Sequence, residues 1–410
     1  LDAKFRQQYG DVGYYDQKAA IMDQIEGIIS DPEVEGTGIK AALTTLSQAL
    51  ADFSQSPYQE TNANIVMNAF KGVTQVLNEY DANLKTLMEQ TKNDLSVAVE
   101  DINTKLDQLS ELNSSIAHEI FSNNDYDGVN YGPNDLLDQR NVILDDLSRY
   151  GDVQVTDLED GKIQVKINGK VVVDASGASY TNDKLNIGSD GVTLTWNSNN
   201  QNANLGAGAI RGFTDMLTGA DPINAGIPYY QNKMDNFAQT LADVFNNKIH
   251  ADDPDFPDKY KFLLQGGVDG KVTAGNISIS DQWADDVSYI IRKQNPDGEL
   301  DNQDILDMKA AFEQDFNFGG EYTGTFSEFI TSVTNTLGSG IKTNSARMSA
   351  SLAIAESADS ERMGVSGVSL NEEGISMMTY NKAYQALGRL MTTMDEQLDM
   401  IINKMGIVGR

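Results

Sequence analysis

The sequence predicts a mainly α fold with β insertions: an elongated, discontinuous rod domain of long antiparallel helices, carrying a small antiparallel β domain. Three observations lead there. Residues 61–121 contain no proline, and Val66, Phe70, Val73, Leu77, Tyr80, Leu84 and Leu87 recur at steps of three and four. Leu95, Ala98, Ile102, Leu106, Leu109, Asn113, Ile116 and Ile120 continue the pattern. One unbroken helix of that span is about 90 Å long at a rise of about 1.5 Å per residue, which is rod geometry. Between residues 152 and 204 the period changes to two, at Val153 and Val155, Ile163, Val165 and Ile167, Val171 and Val173, then Val192, Leu194 and Trp196. Asp160-Gly161, Asn168-Gly169 and Asp190-Gly191 supply hairpin turns between the runs. The final segment returns to helical spacing in its strictest form, as described below.

Composition narrows the function classes. The chain has 410 residues, with 30 basic against 61 acidic side chains and a net charge of -31. Such a field repels phosphate backbones and anionic lipid surfaces, so neither nucleic acid nor membrane insertion is expected. Zero cysteines removes disulfides, thiolate metal sites and thiol nucleophiles. No apolar run is long enough to span a bilayer, and Leu1-Asp2-Ala3-Lys4-Phe5-Arg6 has no apolar signal-peptide core behind it. The expectation is a soluble chain that, if exported, uses no cleavable leader, and whose initial Leu suggests a natural start outside these residues.

Along the chain, Tyr15, Ala19, Met22, Ile25 and Ile29 keep helical spacing up to Ser30-Asp31-Pro32, where proline forbids continuation. Ile39, Leu43, Leu46, Leu50 and Phe53 form a second amphipathic helix that ends at Ser56-Pro57. After the long helix, residues 122–128 are turn-rich. Pro133-Asn134-Asp135 then restart a helix, with a capping side chain ahead of Leu136 and Leu137, that runs to about Tyr150. Tyr230, Met234, Phe237, Leu241 and Val244 mark a helix ending near His250. Residues 251–275 read as loop with one apolar run, Phe262-Leu263-Leu264. Ile277 and Ile279 read as a strand, followed by short helices near residues 283–291 and 304–316. Another long helix begins at Phe326 with Ile330, Val333, Leu337 and Ile341, continues through Met348, Leu352 and Ala355, and ends at Gly364 and Gly367.

The expected domains follow: helical rod segments over 1–151, 205–250 and 326–369, a small β insertion over 152–204, a mixed α/β insertion over 251–325, and a C-terminal heptad helix over 370–410. In that last helix Met377, Tyr380, Tyr384, Leu387, Met391, Met394, Leu398, Ile401, Met405 and Val408 alternate steps of three and four. This is an a/d seam, and so narrow a stripe needs a second helix against it. The partner is another part of the full-length protein, a second subunit or a chaperone; docking on this chain's own helices is the bland alternative. Residues 366–373 read as a Gly/Ser joint in front of the seam.

No catalytic, cofactor or metal site is expected. Asp135, Asp138, Asp145 and Asp146 cluster near Arg140, but on an exposed helix start they read as capping groups paired with Arg140. His118-Glu119 opens like a zinc-peptidase motif, yet position 122 is Ser, and the other histidine is the distant His250. The glycines of residues 206–212 are misplaced for a dinucleotide loop and read as a chain re-entry turn. The acidic runs 252–255 and 297–301 do not fit the EF-hand spacing and read as solvated loops. Ser366, between Gly364 and Gly367, lacks the glycine spacing of a nucleophile elbow.

Two blocks carry a family resemblance. Asn134-Asp135-Leu136-Leu137-Asp138-Gln139-Arg140, followed by Leu144, Leu147 and Val153-Gln154-Val155, resembles a segment of the FlgK family of flagellar hook-filament junction proteins. Residues 365–373, then Tyr380, Ala383-Tyr384-Gln385-Ala386, Met394-Asp395-Glu396 and Ile401-Ile402-Asn403, are similar to the C-terminal block shared by hook, rod and junction proteins. Residues 238–250 resemble the helix that re-enters the family's rod domain. The resemblance implies a structural, extracellular flagellar protein exported through the type III apparatus, which self-assembles into a ring between the hook protein and the second junction protein. It also implies pairing of terminal helices in an inner tube, an export chaperone on the C-terminal helix, and a tube-forming N-terminal helix that this sequence lacks. The competing readings are another axial protein, such as a hook or second junction subunit, a secreted binding module whose β insertion recognises a ligand, and, weakest, a cell-wall hydrolase.

Overall fold

A computed structural model describes residues 1–29, 37–123, 133–174, 181–203, 205–249, 263–267, 270–291, 302–367 and 369–404. The protein divides into two units, residues 3–355 and residues 1–2 with 356–410. The larger unit is organised on α3 (Glu60–Asn123), 64 residues and about 96 Å long at a rise of about 1.5 Å per residue. Its expected apolar stripe is buried from Ala63 to Ile116, and α2 (Gly38–Gln55), joined to it by a tight turn through Ser56 and Gln59, packs along it. Helix α1 (Asp2–Ile29) begins earlier than its apolar spacing indicates. The added turns bury Arg6, Gly10 and Gly13 rather than aliphatic side chains, so a hydrophobic pattern does not reveal them.

Helix α4 (Asn134–Ser148) forms where its sequence block predicts it, but its cap differs. Pro133 occupies the N-cap without a side-chain hydrogen bond; its carbonyl accepts from the backbone of Leu136 and Leu137, while Asn134 and Asp135 lie inside the helix. Strands β1 (Val153–Asp157), β2 (Ile163–Ile167), β3 (Lys170–Asp174) and β4 (Thr181–Asn182) then form an antiparallel sheet in sequential order. A separate hairpin pairs β5 (Leu185–Ile187), which the alternation overlooks, with β6 (Leu194–Trp196), and Val192 lies outside it. Two asparagines of α3 hold these edges: Asn113 donates to the Ile163 carbonyl and accepts from its amide, and Asn103 does the same for Leu185.

Residues 206–212, read as a turn, instead start α5 (Gly208–Thr218). Gly208 has φ +77°, and a Cβ there would lie 2.1 Å from the Tyr150 carbonyl carbon, so the backbone of α5 meets the end of α4 at a distance no side chain permits. Gly13 of α1 meets the same corner, where an added Cβ would lie 2.1 Å from the Arg149 carbonyl oxygen. Gly208→Ala is therefore expected to destabilise the protein by roughly 2–4 kcal/mol, through left-handed strain plus overpacking. The check is the denaturant midpoint; a midpoint equal to wild type would contradict the contact.

Helix α6 (Ile227–Asn246) leads to β7 (Leu264–Gln265), which pairs with β8 (Ser278–Ile279). Part of the expected loop is thus a strand, held because the Asn246 carboxamide oxygen accepts from the amides of Leu263 and Leu264. Helices α7 (Asp281–Asp285) and α8 (Gln303–Ala310) are short, as expected, and each is followed by a 3-10 turn. A hairpin of β9 (Phe316–Phe318) and β10 (Tyr322–Gly324) is new relative to the sequence expectation, and α9 (Phe326–Ser366) follows with Gly364 inside it. An aromatic cluster joins these pieces: Phe237 contacts Phe318, Phe326 and Phe329, while Phe70 contacts Phe245 and Trp283. Helix α10 (Leu370–Asp399) and a π-helical turn (Met400–Lys404) are the last elements among the described residues.

Three carboxylates in and around the β region are held below their ordinary range. Lys184 and Asn182 hydrogen-bond Asp107; at Asp183 burial works upward but bonds from Ser198 and Lys170 outweigh it; the Thr193 hydroxyl and nearby amides hold Asp190 at about 2. With folded values depressed, the unfolded chain binds more protons, so their stabilisation is complete above the unfolded carboxylate value of about 3.9 and is lost as pH falls toward about 2. Thermal midpoints measured from pH 5 to pH 2 should fall, and Asp183→Asn should flatten that slope; an unchanged slope would remove Asp183 from the account.

Candidate assembly interface

Helix α10 starts where local chemistry stops α9. Gly367 lies just past the end of α9, and its amide returns to the Met363 carbonyl. Ser369 then caps α10, its hydroxyl accepting from the Glu372 amide, and Glu372 and Glu373 place negative charge in the first turn, where the helix dipole favours it. The helix hydroxyls are satisfied locally: Thr379, Thr392 and Thr393 donate to carbonyls one turn back.

None of α10 is buried. Of the expected seam, Met377, Tyr380, Tyr384, Leu387, Met391, Met394, Leu398 and Ile401 all lie in the open, between 50% (Leu398) and 79% (Tyr384) exposed. Leu390 and Ile402 widen the same face, and both are also exposed. Met405 and Val408 lie outside the described residues. The sequence spacing missed the flanking Leu390 and Ile402, which fall outside an a/d stripe but within the broader arc that a helix buries against a neighbour. An uncovered apolar face of this length is unusual for a surface helix.

The other sequence candidates resolve into packing. Arg140 is not paired with the acidic groups of its own helix. It is buried, and its guanidinium donates to the Gly161 carbonyl at 2.6 Å and to Asn113 at 3.5 Å, because α4 turns that face onto α3 and the sheet. Asp145 instead receives Arg6 of α1 at 2.8 Å, and Asp146 receives Lys105 of α3 at 3.1 Å, so these carboxylates tie three helices together. Asp135 and Asp138 are exposed. Tyr150 donates to Asp101 at 2.8 Å, and burial together with that bond pushes its hydroxyl up to about 12. His118 is exposed on α3, and the Ser366 hydroxyl donates to the Arg362 carbonyl of its own helix. His250 and the acidic runs 252–255 and 297–301 lie outside the described residues. Among the described residues there is no group of three or more side chains able to hold a metal ion, and no helix is long and apolar enough to cross a membrane.

Comparison with known proteins places this geometry. Residues 22–258 match the flagellar hook-associated protein FlgK helical domain, and residues 360–404 match the C-terminal region of flagellar basal-body rod FlgEFG proteins. Flagellar hook-associated protein 1 of Bacillus subtilis (strain 168) is 26% identical over 446 residues, spanning all of this chain and 84% of that protein. A solved structure, the flagellar hook junction protein FlgK from Burkholderia pseudomallei, aligns with a TM-score of 0.48 and 19% identity over 60% of this chain and 43% of that one. The C-terminal match is shared among axial proteins, whereas the helical-domain match is particular and covers more than half of the chain. The protein therefore belongs to the FlgK family of flagellar hook-associated proteins, non-enzymatic structural subunits of the hook-filament junction.

Proposed function

We propose that the protein joins hook to filament as one subunit of a closed ring, and that the exposed seam of α10 is the surface through which it enters the assembly. The observation that carries this is the exposure of the apolar seam from Met377 to Ile401, along a helix none of whose residues is buried. Each Leu or Met covered on assembly contributes about 1.5–3 kcal/mol, so a seam of this length supplies ample association free energy. The hook protein lies on one side of the ring and the second junction protein on the other. Before assembly the subunit leaves the cell unfolded through the type III apparatus, and an export chaperone covers the seam as a coiled-coil-like partner. Outside the cell the same face closes against a helix of the axial tube.

The absence of native cysteine makes the test clean. A single cysteine at position 387, introduced as Leu387→Cys, is expected to react rapidly with a maleimide in the free chain and slowly in isolated flagella. Equal reactivity in both would show that the seam is not the assembly surface.

A further inference from the structure

Within the larger unit, α1, α9 and the connection between α5 and α6 enclose a pocket of about 290 Å³. Its walls differ in kind. From α9, Thr336, Ser339, Thr343 and Arg347 share one helical face, with Gly340 between them. Gly340 brings α9 close to α1, where an added Cβ would lie 2.6 Å from the Met22 methyl. From α1 come Tyr14 and Lys18, one turn apart, and Asn344 anchors the two helices by donating to the Tyr15 carbonyl at 2.6 Å. At the rim stands Ile223, 89% exposed.

The charge in this pocket is unlike the rest of the molecule. In a chain with 61 acidic residues, neither Lys18 nor Arg347 makes an ion pair among the described residues. The neighbouring carboxylate, Asp215, is already engaged: it accepts from the Tyr14 hydroxyl at 2.9 Å and lies 3.5 Å from Arg211 Nε. The Arg211 guanidinium and the Lys18 ammonium both stand over the Tyr14 ring, 5.1 and 5.7 Å from its centroid. Lys18 is pushed below its ordinary value by burial first; Asp215 works the other way, and Arg211 and Arg347 add to the lowering. Two cations outside any ion pair, the Ser339 and Thr343 hydroxyls on one helical face and an open mouth form a cradle rich in donors, while the Thr336 hydroxyl is already spent on the Ser332 carbonyl of its own helix.

We propose that this pocket is a socket for a carboxylate side chain, Asp or Glu, presented by a neighbouring protein chain of the assembly. Arg347 and Lys18 supply charge-assisted hydrogen bonds, the Ser339 and Thr343 hydroxyls donate to the remaining carboxylate lone pairs, and the exposed Ile223 covers the aliphatic stem. Delivery by a neighbouring chain rests on the assembly function proposed above; recognition of a carboxylate does not, and the test separates the two. A charged contact of this type sets register between subunits more than it adds affinity, while the α10 seam supplies the burial.

The experiment is NMR on the intact chain with carbon-13-labelled lysine, the Lys18 signal being identified by its loss in Lys18→Arg. At low salt the chain is titrated with the blocked dipeptide acetyl-Glu-Glu-amide, with its Gln-Gln counterpart, and with inorganic phosphate. The expected result is a saturable shift of Lys18 with the Glu peptide, none with the Gln peptide, and binding weakened about tenfold by Arg347→Gln, an exposed residue whose replacement leaves the fold intact. An unmoved Lys18 signal, equal response to the Gln peptide, or tighter binding of phosphate than of the Glu peptide would overturn the proposal, the last making this a small-anion site.

Discussion

Replacing Leu387, Met394 and Leu398 together by Asp is expected to abolish incorporation at the hook tip while leaving the subunit folded. These side chains are 59%, 52% and 50% exposed, so in the free chain the substitutions bury no charge and remove no core contact. In the assembly the same three positions would place carboxylates in a dry interface, where an unpaired ionised group costs several kcal/mol. Lost apolar burial adds to that penalty, and association fails. Thermal midpoint and circular dichroism of the purified variant should match wild type, and Met378→Asp, on the face of the same helix opposite the seam, should still assemble. Normal filament growth in the triple variant would sink the seam as an assembly surface.

The second large effect is expected within the larger unit. Phe237 is fully buried and touches three aromatic rings contributed by β9 and α9, with centroid distances of 6.1 Å to Phe318, 5.5 Å to Phe326 and 6.0 Å to Phe329. Phe237→Ala leaves a cavity those rings can only partly fill, because each is itself fixed by other partners: Phe318 stacks on Phe329 at 4.3 Å, and Phe326 packs on Phe245 at 6.2 Å. A loss of about 3–5 kcal/mol follows, against a smaller loss for Phe237→Leu, measured by denaturant unfolding. A change below about 1 kcal/mol would mean that the cluster collapses freely around the missing ring.

Legibility in the sequence followed the source of each element's stability. Helices α2, α3, α6 and α9 bury aliphatic and aromatic side chains at regular steps, and spacing alone located them. The first turns of α1 instead pack through Arg6, Gly10 and Gly13, residues that ordinarily mark surface or turns, and α5 buries Ile210, Phe213, Met216 and Leu217 behind a glycine-rich start that reads as a turn. Strands β5, β7, β9 and β10 have two or three residues each, too few for a period of two to show. Arg140 was misread because sequence sees its acidic neighbours but not the Gly161 carbonyl that its guanidinium reaches across the fold. Helix α10 was legible because its apolar residues keep helical spacing although none of them is buried. The pocket around Lys18 was not, since its cationic donors, Lys18 and Arg347, are far apart in sequence.

An uncovered seam also makes the free subunit a colloidal problem. Copies carrying Met377 to Ile401 in the open will associate at random unless something separates them, and a net charge of -31 does so by mutual repulsion. The Debye length at physiological salt is about 8 Å, so that repulsion acts only near contact, slowing encounters without weakening a correctly seated one. Salt, or acidification toward the isoelectric point of about 4.2, therefore removes the barrier while leaving the adhesive face in place. The protein stays dispersed for the same reason that it can be made to precipitate.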